Sequence, residues 1–91
     1  MYLAKVRGTV VSTMKAPSLT GCKLLVIEKL NEDLTSKGTT EVAVDAVGAG
    51  DGEIVLVSRG SSARYIFSDK GSPIDAAIVG IVDTVEVTPS R

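Results

Sequence analysis

The chain has 91 residues, with ten Lys or Arg against eleven Asp or Glu, no histidine and a single cysteine. That length holds one core of ordinary size, and the composition excludes an intrachain disulfide and a Cys/His zinc site. A formal charge of −1 offers no long-range attraction to nucleic acid or to an anionic membrane, so neither is an expected partner.

Hydrophobic residues make up 44% of the chain and aromatic ones only 3%, a balance that suits a compact aliphatic core and argues against disorder. A chain this short buries only about 60–65% of its unfolded surface. With neither disulfide nor metal, association with further subunits is the expected supplement to its stability. Charges at Lys5 and Arg7 stand where a secretory signal needs its apolar stretch, and no apolar run approaches membrane-spanning length. A cytoplasmic, reducing location is expected.

Residues 2–12 alternate, with Tyr2, Ala4, Val6, Gly8 and Val10 on one side and Lys5, Arg7 and Thr9 on the other, as in a half-buried strand. Residues 15–21, with Pro17, Ser18 and Gly21, read as a loop. Residues 22–30 are apolar on both faces, which predicts a central strand or one covered on both sides. Residues 31–38 read as a polar connection. A third strand is expected over 40–47, with Val42, Val44 and Ala46 on one face. Gly48-Ala49-Gly50-Asp51-Gly52 then joins it, as a hairpin with a long loop, to a fourth strand over 53–58. Ser61 or Ser62 is suited to cap a short helix through residues 63–67. A last long strand is expected over 76–87, ended by Pro89. Five strands with one short helix between the fourth and fifth predict an all-β fold, a small five-stranded OB-like barrel forming one domain over residues 1–91. Periodicity alone also permits an SH3-like barrel or a small sandwich. Closure into a barrel removes the edges that such apolar strands would otherwise expose.

The residues give no support to catalysis. The glycine loop lacks the Gly-Lys-Ser/Thr sequence and following helix of a phosphate-binding loop, and reads as a turn or as a loop facing a pore or ring contact. No histidine is present to activate Ser61 or Ser62, and capping is the simpler role. Arg64 faces either solvent or a neighbouring subunit, where its planar fork would suit a carboxylate. The carboxylates Asp45, Asp51, Glu53, Asp69, Asp75 and Asp83 match no calcium-loop spacing, and no metal or cofactor is implied. Asp45 and Asp83 stand out within apolar runs as candidate satisfied polar groups at a subunit contact. Cys22 opens an apolar strand and reads as a buried, inert thiol. A small-ligand or nucleic-acid binding module is the alternative. For nucleic acid it wants aromatic platforms in a basic groove, whereas Tyr2, Tyr65 and Phe67 are the only aromatics.

Three stretches, in this order and spacing, carry a family resemblance. They are Leu3-Ala4-Lys5-Val6-Arg7-Gly8-Thr9-Val10-Val11-Ser12-Thr13 with Gly21-Cys22-Lys23-Leu24-Leu25-Val26; Val44-Asp45-Ala46-Val47-Gly48-Ala49-Gly50-Asp51-Gly52-Glu53-Ile54-Val55-Leu56-Val57; and Gly60-Ser61-Ser62-Ala63-Arg64 with Pro73-Ile74-Asp75-Ala76-Ala77-Ile78-Val79-Gly80-Ile81-Val82-Asp83. Together they resemble the EutN/CcmL family of bacterial microcompartment shell proteins across nearly the whole chain. The resemblance implies a pentamer of OB-like barrels, without enzymatic activity, that caps the vertices of a polyhedral shell alongside hexameric microcompartment shell proteins. A head-to-tail interface that closes into a ring would supply the five-fold tile. On the same ground Asp45, Gly48, Gly50, Asp51, Gly52, Ser61, Ser62 and Arg64 are the candidate ring or pore contacts. The type of compartment and the choice between five-fold and six-fold symmetry are left open by the sequence.

Overall fold

In the computed structural model, residues 1–11, 13, 21–60 and 75–88 are described. The alternating and β-branched runs form β1 (Tyr2–Val10), β2 (Lys23–Leu30), β3 (Ser36–Asp45), β4 (Ile54–Arg59) and β5 (Ala76–Ile81). They close into a barrel in the order β1-β2-β3-β5-β4, with β4 returning to β1. Every neighbouring pair is antiparallel except β3 and β5, which run parallel. The architecture is therefore the all-β, five-stranded closed barrel expected from the sequence. The short helix expected over 63–67 lies outside the described residues.

The pleat decides what fills the barrel, because successive side chains point to opposite faces. Ala4 and Val6, Leu25 and Ile27, Ala43, Val55 and Val57, and Ala76 and Ile78 form the interior, together with Ala49 from the loop after β3. The fully buried members are no larger than leucine or isoleucine, as a narrow lumen requires, and the half-buried Tyr2 packs against them. A second, outer cluster forms where Val44 and Ala77 are buried against Cys22, Leu24 and Val79. β2 thus lies between β1 and β3, with Leu25 and Ile27 buried inward and Leu24 packed on the outside.

Four details differ from the sequence pattern. The alternation of β1 is broken at Arg7. Val6 pairs with Ile27 but Gly8 pairs with Val26, so Gly8 and Val10 share the outer face with Val26 and Leu24 rather than the inner face with Val6. A bulge of this kind adds one residue and exchanges the faces beyond it. Secondly, β3 begins at Ser36, inside the expected polar connection, because the turn at its start is short and braced. The Asp33 carboxylate accepts from the Thr35 amide and hydroxyl, and the Asn31 side-chain amide donates to the same hydroxyl oxygen. Thirdly, β3 and β4 are not a hairpin. β5 is inserted between them and buries Ala77 and Ile78 completely, which a simple hairpin would leave uncovered. Finally, β5 stops at Ile81 instead of continuing to residue 87. The Val82 amide donates to the carbonyl of Ile54, the first residue of β4, and beyond it β4 offers no further partner.

Candidate functional site

The loop between β3 and β4 closes one mouth of the barrel, and its shape follows from two carboxylates and two glycines. Asp45 Oδ1 accepts the amides of Val47 and Gly48 at 3.0 and 3.1 Å, and Oδ2 accepts the Ala49 amide at 2.8 Å. Folding three consecutive amides back onto one side chain requires a tight reversal, and Gly48 supplies it with φ of 81°. The reversal drives Ala49 into the core, where it is fully buried. Lys23 Nζ, opposite Asp45 on β2, donates to the Ala49 carbonyl at 3.1 Å.

The second half of the loop is a turn over residues 50–53. The Glu53 amide donates to the Gly50 carbonyl, the Glu53 carboxylate accepts the Gly50 amide, and Gly52 takes the positive φ, 83°, at the third position. The turn is then fastened to β1, with Gly52 N donating to Val6 O at 2.8 Å and Val6 N donating to Glu53 O at 2.9 Å. Lys23 and Ala49 were not singled out by sequence pattern, and Glu53 stood there only among the carboxylates weighed for a metal. The one available signal was Ala49, an apolar residue set among glycines.

Charged side chains close the opposite mouth. Glu41 Oε2 lies 3.3 Å from Arg59 and 3.9 Å from Lys29, and Arg59 also pairs with Asp75 at 3.0 Å. The Lys29 ammonium sits 5.2 Å from the centre of the Tyr2 ring, within cation–π range. These residues continue the inward-facing series of Ala4, Ile27, Ala43 and Val57 by one pleat, so charge takes over where the apolar interior meets solvent.

The candidate contact residues divide by exposure. Gly48, Asp51 and Gly52 are exposed at the loop surface, Gly50 is half-buried, and Asp45 has both carboxylate oxygens engaged within its own loop. Ser61, Ser62 and Arg64 lie outside the described residues. Asp83 is exposed, and Cys22 is half-buried at the rim of the outer cluster instead of fully buried. Among the described residues no three His, Cys, Asp or Glu side chains converge on a metal-sized position. Among the described residues the one clear electrostatic perturbation is at Asp33, whose carboxyl is held below the usual aspartate range by the Thr35 hydroxyl and amide. No described helix is long and apolar enough to cross a membrane.

Comparison with known proteins sets this barrel in context. Residues 1–83 match the family described as "Ethanolamine utilisation protein EutN/carboxysome". The bacterial microcompartment shell vertex protein GrpN of Rhodospirillum rubrum (strain F11) is 64% identical over 86 residues, covering 94% of this chain and 97% of that protein. The shell vertex protein PduN of Salmonella typhimurium (strain LT2) is 56% identical over 89 residues, covering 93% and 98%. The solved structure of the GrpN pentameric microcompartment shell protein from Rhodospirillum rubrum superposes with a TM-score of 0.87 at 62% identity, covering 97% of this chain and all of the other. A closed five-stranded barrel and a match over nearly the full length converge on one conclusion: the chain belongs to the EutN/CcmL family of microcompartment shell proteins.

Proposed function

We propose that this chain is a structural subunit of a microcompartment shell in the cytoplasm, assembling as a pentamer that caps a vertex. One observation carries the reading: a pentameric shell protein shares 62% of its sequence and the whole of its fold with this chain. The role is geometric. Flat sheets of six-fold tiles do not close into a polyhedron, and a five-fold tile with one head-to-tail interface supplies the missing curvature. Hexameric shell proteins are the expected neighbours of the ring, and the whole chain acts as one domain.

Within the ring, the exposed loop surface at Gly48, Asp51 and Gly52 is proposed to face the axis or the adjoining subunit, with Ser61, Ser62 and Arg64 as further candidates. Asp45 contributes by holding the loop in shape. Native mass spectrometry of the purified chain at physiological ionic strength tests the reading. A single species of five subunits is expected, and a monomer at micromolar concentration would overturn it.

A further inference from the structure

The turn between β2 and β3 holds a residue in a conformation its side chain disfavours. Asn31 N donates to Thr35 O at 2.8 Å and Leu34 N to Asn31 O at 2.9 Å, closing a hairpin loop over residues 32–34. Leu34 ends that loop with φ of 68°, and among the described residues it is the one non-glycine with positive φ. Hairpin loops of this length usually place glycine there, because a Cβ in the left-handed region crowds the backbone. Side chains brace the turn in this form. Asn31 Nδ2 donates to Thr35 Oγ1 at 3.0 Å, Asp33 Oδ1 accepts the Thr35 amide at 3.1 Å, and Ser36 Oγ, itself bonded to Glu28, accepts the Gly38 amide at 2.9 Å. Leu34 is also the one apolar side chain between Leu30 and Val42, and it is 42% exposed. A rigid tip thus presents an aliphatic side chain against both its backbone angle and its contact with water, flanked by Glu32 and Asp33. Strained residues of this kind cluster at functional sites, and an apolar anchor with a charged rim is the make-up of a contact centre.

The outer barrel wall carries the complement. Val26 lies opposite Val42, and Gly8 stands beside Val26 on β1. Val42 is 50% exposed and Val26 half-buried. A Cβ at Gly8 would have nothing within 4 Å, so the glycine leaves a notch beside Val26. Lys5, by alternation with the inward Ala4 and Val6, and Arg7, by its reach to Glu28 at 3.9 Å, lie on the same outer side. Lys5 makes no ion pair among the described residues. One subunit cannot join its own tip to this stripe. Val26 lies four residues back from Leu30, about 13 Å along β2, and the continuous ladder with β3 holds the tip at the far end.

We propose that Leu34 of one subunit seats on the stripe formed by Gly8, Val26 and Val42 of a second copy, with Glu32 and Asp33 beside that copy's Lys5 and Arg7. This rests on the ring assembly proposed above and names a contact within it. Tip and stripe are different surfaces, so the contact is heterologous, the kind that runs head to tail until it closes. Leucine destabilises the turn of a lone subunit, and burial against the neighbour offsets that loss.

The contact and a merely tolerated leucine differ in the sign of their effects. Leu34→Gly relieves the left-handed strain, so the subunit diluted below half-assembly is expected to melt about 4 °C higher. The same substitution removes the anchor and is expected to raise the subunit concentration at half-assembly about tenfold. Glu32→Lys and Lys5→Glu, each alone, are expected to raise that concentration about threefold, and the two together to return it toward the starting value. In a Cys22→Ser background, Leu34→Cys carrying a benzophenone maleimide is expected to photo-cross-link to residues 24–26 or 42–44 of another subunit, read by mass spectrometry of the digest. If the unsubstituted chain is a ring by native mass but Leu34→Gly assembles at the same concentration, or destabilises the lone subunit as well as the ring, or the adduct falls on another surface, the contact is wrong while the ring reading stands. A monomeric unsubstituted chain removes both.

Discussion

Asp45 shows how one side chain sets the form of a loop. Its carboxylate accepts three amides that would otherwise be left at the mouth of the barrel, and so holds Ala49 in the core. Asp45→Ala is expected to cost about 2 kcal/mol, the range for losing charged hydrogen bonds to partly buried amides. Asp45→Asn should lose less, since one oxygen survives as an acceptor. Urea denaturation monitored by circular dichroism checks both, and an alanine variant within error of the parent would mean that water serves these amides equally well. The sequence marked Asp45 as a polar group inside an apolar run, which was legible from burial logic alone. It did not reveal that the partners are Asp45's own loop, because that depends on the left-handed turn at Gly48, a conformation glycine permits but does not announce. The reverse holds for Asp83, which stands in similar company and is exposed because β5 has already ended.

At the scale of elements, strand positions were readable and strand partners much less so. The period-two signal is local, and it located all five strands, three of them to within two residues at each end, while β3 begins four residues earlier and β5 ends six residues sooner than the pattern suggests. Pairing is settled by which arrangement buries the most apolar surface, and that is a property of the set. The insertion of β5 between β3 and β4 is the clearest case: Ala77 and Ile78 are fully buried there, although nothing in the loop after Asp45 distinguishes a hairpin from a connection across the barrel. The break at Arg7 was hidden for a similar reason, since Gly8 and Val10 preserve the apolar parity in sequence while the bulge reverses it in space. Side-chain direction after such a break decides the cost of substitution. Ile27→Ala, in the filled interior, is expected to destabilise the fold by about 3 kcal/mol. Val42→Ala, on the outer face of the same sheet, should change the stability of an isolated subunit by no more than about 0.5 kcal/mol. Parallel thermal or denaturant melts distinguish the two, and equal losses would contradict the register that sets Ile27 inward.

Among the described residues the outer side of the barrel wall carries aliphatic side chains as well as charged ones. Leu24, Val26 and Leu56 are only half-buried, and Val42 and Ile81 are exposed. A short chain with no disulfide of its own has reason to cover such residues with neighbours, and stability gained by association depends on concentration. Where unfolding accompanies dissociation of the ring, each tenfold rise in subunit concentration should raise the melting temperature by about 5 °C, given the entropy of unfolding of a domain this size. Differential scanning calorimetry over a hundredfold range of concentration reads this directly. A constant midpoint would show that the barrel stands without its neighbours and that the outer aliphatic residues serve some other contact.

The filling of the lumen bears on permeability. Aliphatic side chains pack the interior, Ala49 stops one mouth, and the Lys29, Glu41 and Arg59 side chains stand across the other. Each subunit is therefore a solid wedge, and a metabolite crossing a tile built of such wedges has to travel along the seams between them or down their common axis. Selectivity at a corner of this kind is then set by which side chains adjoining subunits turn toward each other, and substitutions inside the barrel should leave it untouched so long as the fold survives.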